Sequence, residues 1–417
     1  MNSWKKVALG GASVLAIATL AACGSSTSST SSSSSYTSSS TNPKDIKGSV
    51  SLMVDTATVP AYKTLAASFM KEYPNVKVTV ATNPNGSANA KQDIAKDPAK
   101  YADVFKVPND QLGALAEAGY INPLPATQVS WIKSNDIAIA ATAVTWKGSV
   151  YAYPQDQQSN IIFYNKSKMK TAPATWTDFT AATPIGTDFS NAYNWYPAFL
   201  SNGTVLFGKD GETLTGTTAA NAQGVQALKW FAAQKANAGV KNSGTALLAD
   251  FQAGKTSAVL DGPWDATNIQ KFLGSNMGVT TLPTIDFGSG SKQMQAFSGV
   301  GTLAINAKTP TADIPAANAL AQYLSNEESQ MALYKAEAAI PVSTSAQTNS
   351  TITADPVAQA VIKQVANDTL MPKMPEMATF WTEAAPIIQN AYLGKTPAAQ
   401  FQTQLTKFVA DISKAVN

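Results

Sequence analysis

The feature that most restricts the fold is a regular alternation of strand and helix patterns in the first part of the chain. Residues 49–54, 76–80 and 103–107 are short runs rich in apolar and β-branched side chains, as in buried strands. Residues 61–73 and 85–97 lie between them, and the first of these carries apolar side chains at helical spacing. This alternation predicts an α/β fold in which a mostly parallel sheet is covered by helices on both faces.

The length of the chain predicts more than one domain. Its 417 residues exceed what a single hydrophobic core usually serves, so two domains are expected. We predict one domain from residues 48–156 together with about 299–354, where a glycine-bearing strand returns to it. The other domain is predicted from residues 157–298 together with about 355–417.

The composition removes several classes of chemistry. All 30 basic residues are lysine, because the sequence contains neither arginine nor histidine, and there is a single cysteine. Catalytic pairs that need histidine are excluded, as is an ordinary zinc site, and we expect neither a metal nor a cofactor. Without the two-point grip of arginine an anionic ligand is disfavoured, so a neutral polar ligand is expected.

The N-terminus indicates export. Residues 1–22 combine a short positive region with an apolar run too short and too rich in small residues to span a membrane, which predicts a signal peptide. The run ends in LAACG at residues 20–24, which resembles the lipobox of bacterial lipoproteins. We therefore predict lipidation of Cys23 and anchoring at the extracellular face of the bacterial cell membrane. The alternative is a free cysteine after an ordinary cleavage site.

Residues 23–47 are predicted to be the lipidated cysteine and a flexible tether. Between Ser25 and Thr41 every residue is serine or threonine except Tyr36, and such a segment cannot bury enough apolar surface to fold. Two lysines leave with the signal peptide, so 28 of the 30 remain against 27 acidic residues. This balance argues against a nucleic acid partner, and we expect membrane contact only through the lipid anchor.

Residues 250–269 are predicted to run from a helix end through a strand and a turn into a second helix. Gly254 occupies the position of a left-handed cap, and DGP at residues 261–263 is a turn signal. Trp264 then falls in the first turn of the second helix, where a chain that leaves a buried strand reaches the surface or a cleft. This placement suits a ligand platform, and the alternative is a large core residue.

Two aspartates follow predicted strands. Asp55 comes after the first strand and Asp110 after the third. In α/β folds ligands bind at the carboxyl ends of the strands, so both residues are site candidates. Each is equally well explained as a turn or helix-cap residue.

A run of six polar residues, QDQQSN at 155–160, separates two later strand patterns. Burying these groups is costly unless they are paired, so the run is expected to be exposed or turned toward a polar ligand. We interpret it as the first crossing between the domains, with Gln158 or Asp156 facing the cleft. The alternative is a plain surface loop.

Two further segments carry rings. NAYNWYP at residues 191–197 places tyrosine and tryptophan beside asparagine, and Trp381 follows the proline-containing break at residues 371–375. Flat rings next to amide groups suit a sugar, whose ring has an apolar face and a rim of hydroxyls. The alternative for residues 191–197 is helix packing.

Four segments together resemble the maltose- and maltodextrin-binding proteins of ABC transporters. They are TWTDF at 175–179, KTSAVLDGPWDATNI at 255–269, GVTTLPT at 278–284 and MPKMPEMATFW at 371–381, in the order and at the spacing of that family. The resemblance implies a two-lobe periplasmic-binding-protein-like fold of type II with three hinge crossings. It also implies an oligosaccharide ligand between the lobes and delivery to the transmembrane subunits of an ABC permease. Nothing in the sequence requires more than a monomer.

The resemblance assigns site residues by position. Trp264 and Trp381 match rings that stack on glucose units, and Tyr193 matches a stacking tyrosine. Asp110 matches an aspartate that binds sugar hydroxyls, and Met371 lies where the family lines a subsite.

Four positions depart from the family pattern. Val107 stands in place of a first-lobe tryptophan, Gln111 in place of an arginine, Asn191 in place of a glutamate and Gln158 in place of an acidic residue. The expected cleft is therefore less charged than in the family and lacks one stacking face.

The mechanism we expect is hinge closure, in which the sugar contacts both lobes and so favours their closed arrangement. One rival is a lipid-anchored glycoside hydrolase, which needs two carboxylates about 5–10 Å apart. Asp156, Asp261 and Asp265 are the acids available for that role. A second rival is a binding protein for a different neutral oligosaccharide.

Overall fold

The computed structural model describes residues 42–416. The predicted signal peptide, Cys23 and most of the predicted tether lie outside the described residues. The chain from Ser38 to Asn417 forms one compact unit. Within residues 42–416, no helix combines the length and the apolar character needed to cross a bilayer.

Two β-sheets organise this unit. The strands are β1 Gly48–Asp55, β2 Val76–Asn83, β3 Val104–Pro108, β4 Thr145–Trp146, β5 Ser149–Val150, β6 Ala152–Gln158, β7 Ile161–Asn165, β8 Ile185–Thr187, β9 Val240–Asn242, β10 Ala258–Asp261, β11 Met277–Thr280, β12 Thr284–Asp286, β13 Ser291–Gln293, β14 Phe297–Ile305, β15 Ile340–Pro341 and β16 Thr369–Leu370. A seven-stranded sheet has the order β15-β6-β14-β3-β1-β2, with β16 also paired to β14. A five-stranded sheet has the order β11-β7-β10-β8-β9. We call the parts built on these sheets the first lobe and the second lobe.

Helices cover both sheets. They are α1 Val59–Glu72, α2 Ala90–Lys96, α3 Leu112–Glu117, α4 Ala126–Asn135, α5 Ala138–Ala143, α6 Ala192–Trp195, α7 Pro197–Ser201, α8 Ala222–Gln234, α9 Leu247–Gln252, α10 Ala266–Leu273, α11 Ile314–Leu324, α12 Glu327–Glu337, α13 Thr344–Gln347, α14 Ser350–Thr353, α15 Pro356–Val365, α16 Met377–Leu393 and α17 Phe401–Ile412. Single 3-10 turns include Asn109–Gln111, Trp176–Asp178 and Pro263–Asp265. A capping box is present at Trp176–Asp178, where Thr175 and Asp178 bond reciprocally.

The predicted two-lobe α/β architecture is confirmed, but each sheet is mixed rather than mostly parallel. β1 pairs in parallel with β2 and β3, as the strand–helix alternation predicts. β14 runs antiparallel to β3 and β6, and β7 runs antiparallel to β10 and β11. β7 and β14 are the strands that receive the chain from the other lobe. Such a strand is not bound by the handedness of a helical crossover, so it can enter from the opposite end of the sheet.

Each lobe buries its own apolar core. In the first lobe Val50, Leu52 and Val54 alternate inward along β1 and pack with Phe69 of α1 and Phe105 of β3. In the second lobe aromatic side chains dominate, and α16 lies between α8 and α17. A third cluster of buried apolar side chains spans the two lobes and brings Ile161 and Phe163 of β7 together with Met331 and Tyr334 of α12, so the lobes share apolar packing as well as connecting segments.

The polar run at residues 155–160 is not an exposed loop, so the alternative of a plain surface loop is wrong. Its first four residues continue β6, and Gln155, Asp156 and Gln157 are buried. Tyr62 donates its hydroxyl to Gln155 Oε1 at 2.7 Å, and Lys106 bonds Asp156 Oδ2 at 2.8 Å. Pairing inside the first lobe reduces the cost of burying Gln155 and Asp156, whereas Gln157 Oε1 and Asn160 Oδ1 are buried without a partner among the described residues.

The buried ion pair between Lys106 and Asp156 generates a stability prediction. Lys106→Met should destabilise the folded protein by about 3–5 kcal/mol, because it leaves the Asp156 carboxylate buried without its partner. Adding Asp156→Asn to that variant should recover much of the loss. The matched control is Lys147→Met, whose ion pair with Glu117 is exposed and should change stability by less than about 1 kcal/mol. Denaturant unfolding followed by circular dichroism measures all three, and equal losses for Lys106→Met and Lys147→Met would contradict the prediction.

Candidate functional site

Three aromatic side chains of the second lobe come together at one place. We call Tyr193, Trp264 and Trp381 the ring group. The centroid of the Tyr193 ring lies 6.1 Å from that of Trp264 and 6.4 Å from that of Trp381. Tyr193 is on α6, Trp264 is in the turn Pro263–Asp265, and Trp381 is on α16. Three rings at these spacings form an apolar wall on which the flat faces of a ligand can pack.

Trp264 is presented outward by the turn that follows β10. Its side chain is 44% exposed, so the core alternative for this residue is wrong. The ring lies over Gly262, where a β-carbon would sit 2.1 Å from the indole. Glycine at this position is therefore required for the ring to fold back over the turn. The predicted left-handed cap at Gly254 is also present, with φ 71°.

The segment at residues 191–197 divides into a core part and a site part. Trp195 and Tyr196 are buried and pack inside the second lobe, as the helix-packing alternative predicts. Tyr193 is only partly buried and belongs to the ring group. Asn191 is exposed, and its side chain caps α6 by accepting from Asn194 N at 3.2 Å. The predicted site residues Asn191 and Tyr193 therefore lie at the N-cap and in the single turn of α6, but only Tyr193 joins the rings.

Asp110 of the first lobe contacts the ring group of the second. It lies in the turn Asn109–Gln111 after β3, where Trp381 donates its indole N–H to Asp110 Oδ2 at 3.1 Å. Burial raises the pKa of the Asp110 carboxyl to about 6, although the bond from Trp381 opposes this. Its other oxygen, Oδ1, is buried and has no hydrogen-bond partner among the described residues. A buried acceptor left over in this way is suited to a ligand hydroxyl.

The floor of the site is built around Gly299 on β14. A β-carbon at Gly299 would lie 3.7 Å from Met371 Cε, 3.8 Å from the Tyr193 hydroxyl and 4.0 Å from Gln158 Cβ. Three predicted site residues thus converge where residue 299 has no side chain. Met371 is held there by Asn109, which donates to its carbonyl at 2.9 Å. The same Asn109 accepts from Val300 N at 2.9 Å.

A hydrogen bond to Asp156 orients the side-chain amide of Gln158. Its Nε2 donates to Asp156 Oδ1 at 3.2 Å, and Asp156 is the partner of Lys106. The Asp156 carboxylate can only accept, so the bond fixes which end of the amide it faces. The Oε1 atom of Gln158 is thereby available as an acceptor. Asp156 itself is buried within the first lobe and is occupied by Lys106.

Asp55 lies at the carboxyl end of β1, as predicted, but its contacts are with Ser87 rather than with the ring group. Ser87 donates its backbone N–H to Asp55 Oδ1 at 2.6 Å and its hydroxyl to Oδ2 at 2.9 Å. The carboxylate therefore holds the short turn that precedes α2. Burial raises the pKa of the Glu337 carboxyl to about 7, while the charge of Lys106 opposes this and the charges of Asp156 and Asp55 add to it.

Two of the departures from the family pattern have clear structural roles. Val107 is fully buried in the first-lobe core, and its carbonyl accepts from the Thr302 hydroxyl at 2.7 Å. The amide of Gln111 accepts from Lys91 N at 2.9 Å and donates to the Ala88 carbonyl at 2.6 Å. Both residues stabilise the first lobe around Asp110.

Sequence reasoning missed Phe297 beside the site and did not predict the burial of Asp261. The centroid of the Phe297 ring lies 6.2 Å from that of Tyr193 and 5.8 Å from that of Trp381, so Phe297 packs against both rings. No periodic pattern marks it, because it is the first residue of a strand that enters from the other lobe. Asp261 ends β10, just before the turn that carries Trp264. Burial raises the pKa of its carboxyl to about 7, and the hydrogen bond from the Gly262 N–H opposes this rise. The DGP turn signal marked its position but not its burial.

Comparison with known proteins establishes the family. A sequence profile described as bacterial extracellular solute-binding protein matches residues 64–360. The chain belongs to this family. Among its relatives is a maltooligosaccharide ABC transporter solute-binding lipoprotein of Streptococcus pneumoniae serotype 4, which is 27% identical over 414 residues and 94% of each chain. A maltodextrin-binding protein of Bacillus subtilis is 28% identical over 316 residues, which cover 70% of this chain and 73% of the relative.

Solved structures of solute-binding proteins share the two-lobe architecture. A maltodextrin-binding protein of L. casei, solved without ligand, has a TM-score of 0.85 and 51% sequence identity over 89% of this chain and 100% of its own. A Streptococcus pneumoniae protein in complex with maltopentaose has a TM-score of 0.76 over 87% of this chain and 99% of its own, at 24% identity. This solute-binding protein therefore has the fold of proteins solved both with and without sugar.

The raised pKa of Asp110 generates a prediction for stability. Asp110→Asn should raise the unfolding free energy of the ligand-free protein at about pH 7.5 by about 1–3 kcal/mol, because the amide removes a buried charge. The loss of unfolding free energy caused by Asp110 is absent below 3.8, the pKa of its carboxyl in the unfolded chain. This loss grows as pH rises to about 6 and is constant above that pH. The gain should therefore vanish near about pH 4, as denaturant unfolding across pH would record. Asp210→Asn, at an exposed turn position, is the control. A gain that persists at the acid end of the series would contradict this account of Asp110.

Proposed function

We propose that this protein is the substrate-binding lipoprotein of an ABC importer and that it captures a neutral malto-oligosaccharide between its lobes. The observation that carries the proposal is the meeting of the ring group with Asp110. The second lobe supplies an apolar wall, while the first lobe supplies a buried carboxylate oxygen that has no partner among the described residues. A chain of glucose units needs both features, since each unit has an apolar face and a hydroxyl rim.

The polar groups around the rings favour a neutral ligand. Asp110 Oδ1 and Gln158 Oε1 are acceptors, and burial keeps the pKa of the Tyr193 hydroxyl well above its usual range, so that hydroxyl remains a donor. The chain has no arginine with which to grip a carboxylate or phosphate. Hydroxyl groups both donate and accept, so they match this mixture.

The relatives support the choice of sugar and of transport system. The L. casei protein, at 51% identity, is a maltodextrin-binding protein, and the S. pneumoniae relative is a maltooligosaccharide ABC transporter lipoprotein. By extension we propose that this chain delivers its sugar to the transmembrane subunits of a permease. We further propose that it acts as a monomer at the extracellular face of the cell membrane, anchored through a lipid on Cys23.

The proposed site comprises the eight residues predicted from the sequence. Its centre is formed by the ring group with Asp110, Gln158 and Met371, which the contacts around Gly299 and Trp381 support. Asp55 and Asn191 take positions at the rim, where each already holds local backbone. The proposed domains remain residues 48–156 with about 299–354 and residues 157–298 with about 355–417, and β16 then pairs across that division with β14.

The proposed mechanism is closure of the lobes on the sugar. In an open arrangement the sugar can contact only one lobe, so the closed arrangement gains the contacts of the second. A ligand shifts such an equilibrium only through contacts that differ between the two arrangements. Stacking on Trp264 and Trp381 together with a hydroxyl bond to Asp110 provides that difference.

Isothermal titration calorimetry with maltotriose tests the function directly. The protein used is the compact unit Ser38–Asn417, which contains every helix, strand and core described here. We expect binding in the micromolar range and intact sugar in a reducing-end assay of the same mixture. Absence of heat would move the search to other neutral oligosaccharides. Release of glucose would establish the hydrolase alternative, for which Asp261 and Asp265 are the acids nearest Trp264, whereas Asp156 is already paired with Lys106.

Removing either tryptophan of the ring group should weaken sugar binding. Trp264→Ala and Trp381→Ala should each reduce the binding free energy for maltotriose by about 1–3 kcal/mol, because each loses one stacking face. Titration calorimetry measures the change. Trp131→Ala is the control, since Trp131 packs against the first-lobe core and should leave affinity unchanged. Unaltered affinity in both site variants would place these rings outside the sugar site.

A further inference from the structure

Three segments that pass between the sheets meet at one carboxylate. Ser159 lies in the connection from β6 of the first lobe to β7 of the second. Ala296 ends the connection from β11 of the second lobe to β14 of the first. Asp368 lies between α15, which packs on β7 and β11, and β16, which pairs with β14. The first two segments cross from one lobe to the other at this point, and the third, which lies in the second lobe, reaches the crossing through the pairing of β16 with β14.

The Asp368 carboxylate bonds to all of these segments. Its Oδ2 accepts from the Ser159 hydroxyl at 2.6 Å, and its Oδ1 accepts from Ala296 N at 2.7 Å. Gln364, on the last turn of α15, donates its amide to Oδ1 at 2.8 Å. Four points of the chain are thereby fixed to one rigid planar group.

The backbone next to Asp368 continues the same junction. Thr369 N donates to the Ala296 carbonyl at 3.2 Å, and the Thr369 hydroxyl donates to Gln295 Oε1 at 2.7 Å. Phe297 and Thr369 are the first paired residues of β14 and β16. The carboxylate thus lies where strand pairing between two connecting segments begins.

The chemistry of the junction suits an ionised acceptor. Burial raises the pKa of Asp368 to about 6, while the donors from Ser159, Gln364 and Ala296 lower it, so the group is charged at neutral pH. A carboxylate offers about four acceptor positions, and three donors use them here. Bonds to a charged acceptor are stronger than bonds between neutral groups.

We propose that Asp368 is the positioning residue of the hinge, holding the two connecting segments at Ser159 and Ala296 at a fixed spacing from each other and from the end of α15. Without it each connection would flex independently, and the ligand-free lobes would sample a wider range of separations. Closing on a sugar would then have to restrict that range, which weakens binding. The link to sugar affinity rests on the proposed function, whereas the link to lobe separation does not.

Two substitutions separate hinge geometry from charge. Asp368→Ala removes every hydrogen bond that the carboxylate makes. Asp368→Asn keeps the planar shape, because its Oδ1 can accept from Ala296 and Gln364 while Ser159 turns its hydroxyl to accept from Nδ2. Asp250→Ala is the matched control: it removes a buried aspartate whose bonds stay within the second lobe, where Asp250 accepts from the Ser243 hydroxyl and from Lys255 Nζ, each at 2.8 Å. Ser159→Ala removes one bond only and serves if Asp368→Ala fails to fold.

The experiment measures the separation of the lobes in unit Ser38–Asn417. Spin labels are attached at Lys133→Cys on α4 and Lys229→Cys on α8, two exposed positions in different lobes. The only native cysteine, Cys23, lies outside this unit. Pulsed dipolar spectroscopy gives the distance distribution without sugar and with maltotriose, and calorimetry gives the dissociation constant of each variant.

We expect Asp368→Ala to broaden the ligand-free distribution and to raise the dissociation constant for maltotriose about ten-fold. Asp368→Asn and Asp250→Ala should retain the distribution and affinity of the parent, and Ser159→Ala should lie between. An Asp368→Ala distribution that superimposes on the parent, or equal broadening in Asp250→Ala, would overturn the proposal. If the parent does not bind maltotriose, the proposed function fails, while the ligand-free distributions still decide the role of Asp368.

Discussion

The hydrogen bond from the Trp381 indole to the buried Asp110 carboxylate joins the two lobes at the site. It fixes the edge of one ring against the lobe that carries the acceptor, and it leaves Asp110 Oδ1 without a partner among the described residues. A buried carboxylate that is only half satisfied destabilises the protein. The site therefore places an acceptor without a partner next to an apolar wall. A ligand that has a flat face and hydroxyl groups can pack on the wall and donate a hydrogen bond to this acceptor.

Strand β14 connects this site to the rest of the structure. Its first residues pair with β16 beside Asp368, its glycine at 299 makes room for Tyr193 and Met371, and its next residue bonds Asn109. One strand thus carries the hinge junction, the floor of the site and the support of Asp110 in succession. This explains why small or polar residues occur along a strand that is otherwise fully buried. A motion of the lobes about the junction necessarily changes the site, because the two are consecutive along the same strand.

The sequence was most informative where local rules act alone. Strand–helix alternation identified the first lobe, and the cap at Gly254 and the turn at residues 261–263 placed Trp264 on the surface. It was least informative about buried polar groups. Residues 155–158 are paired by Tyr62, Lys106 and Leu324, which are distant in sequence, so no local pattern distinguishes this strand from a loop. Phe297 and Asp368 were missed for the same reason, since Phe297 packs on Tyr193 and Trp381 and Asp368 bonds Ser159 and Ala296, all of them distant in sequence.

A crystal structure of unit Ser38–Asn417 with maltotriose would show whether one sugar is bound by both the ring group and Asp110. We expect glucose rings stacked on Trp264 and Trp381 and a sugar hydroxyl within hydrogen-bond distance of Asp110 Oδ1, so that both lobes contact one ligand. Sugar bound away from the ring group, or held by one lobe alone, would contradict this expectation.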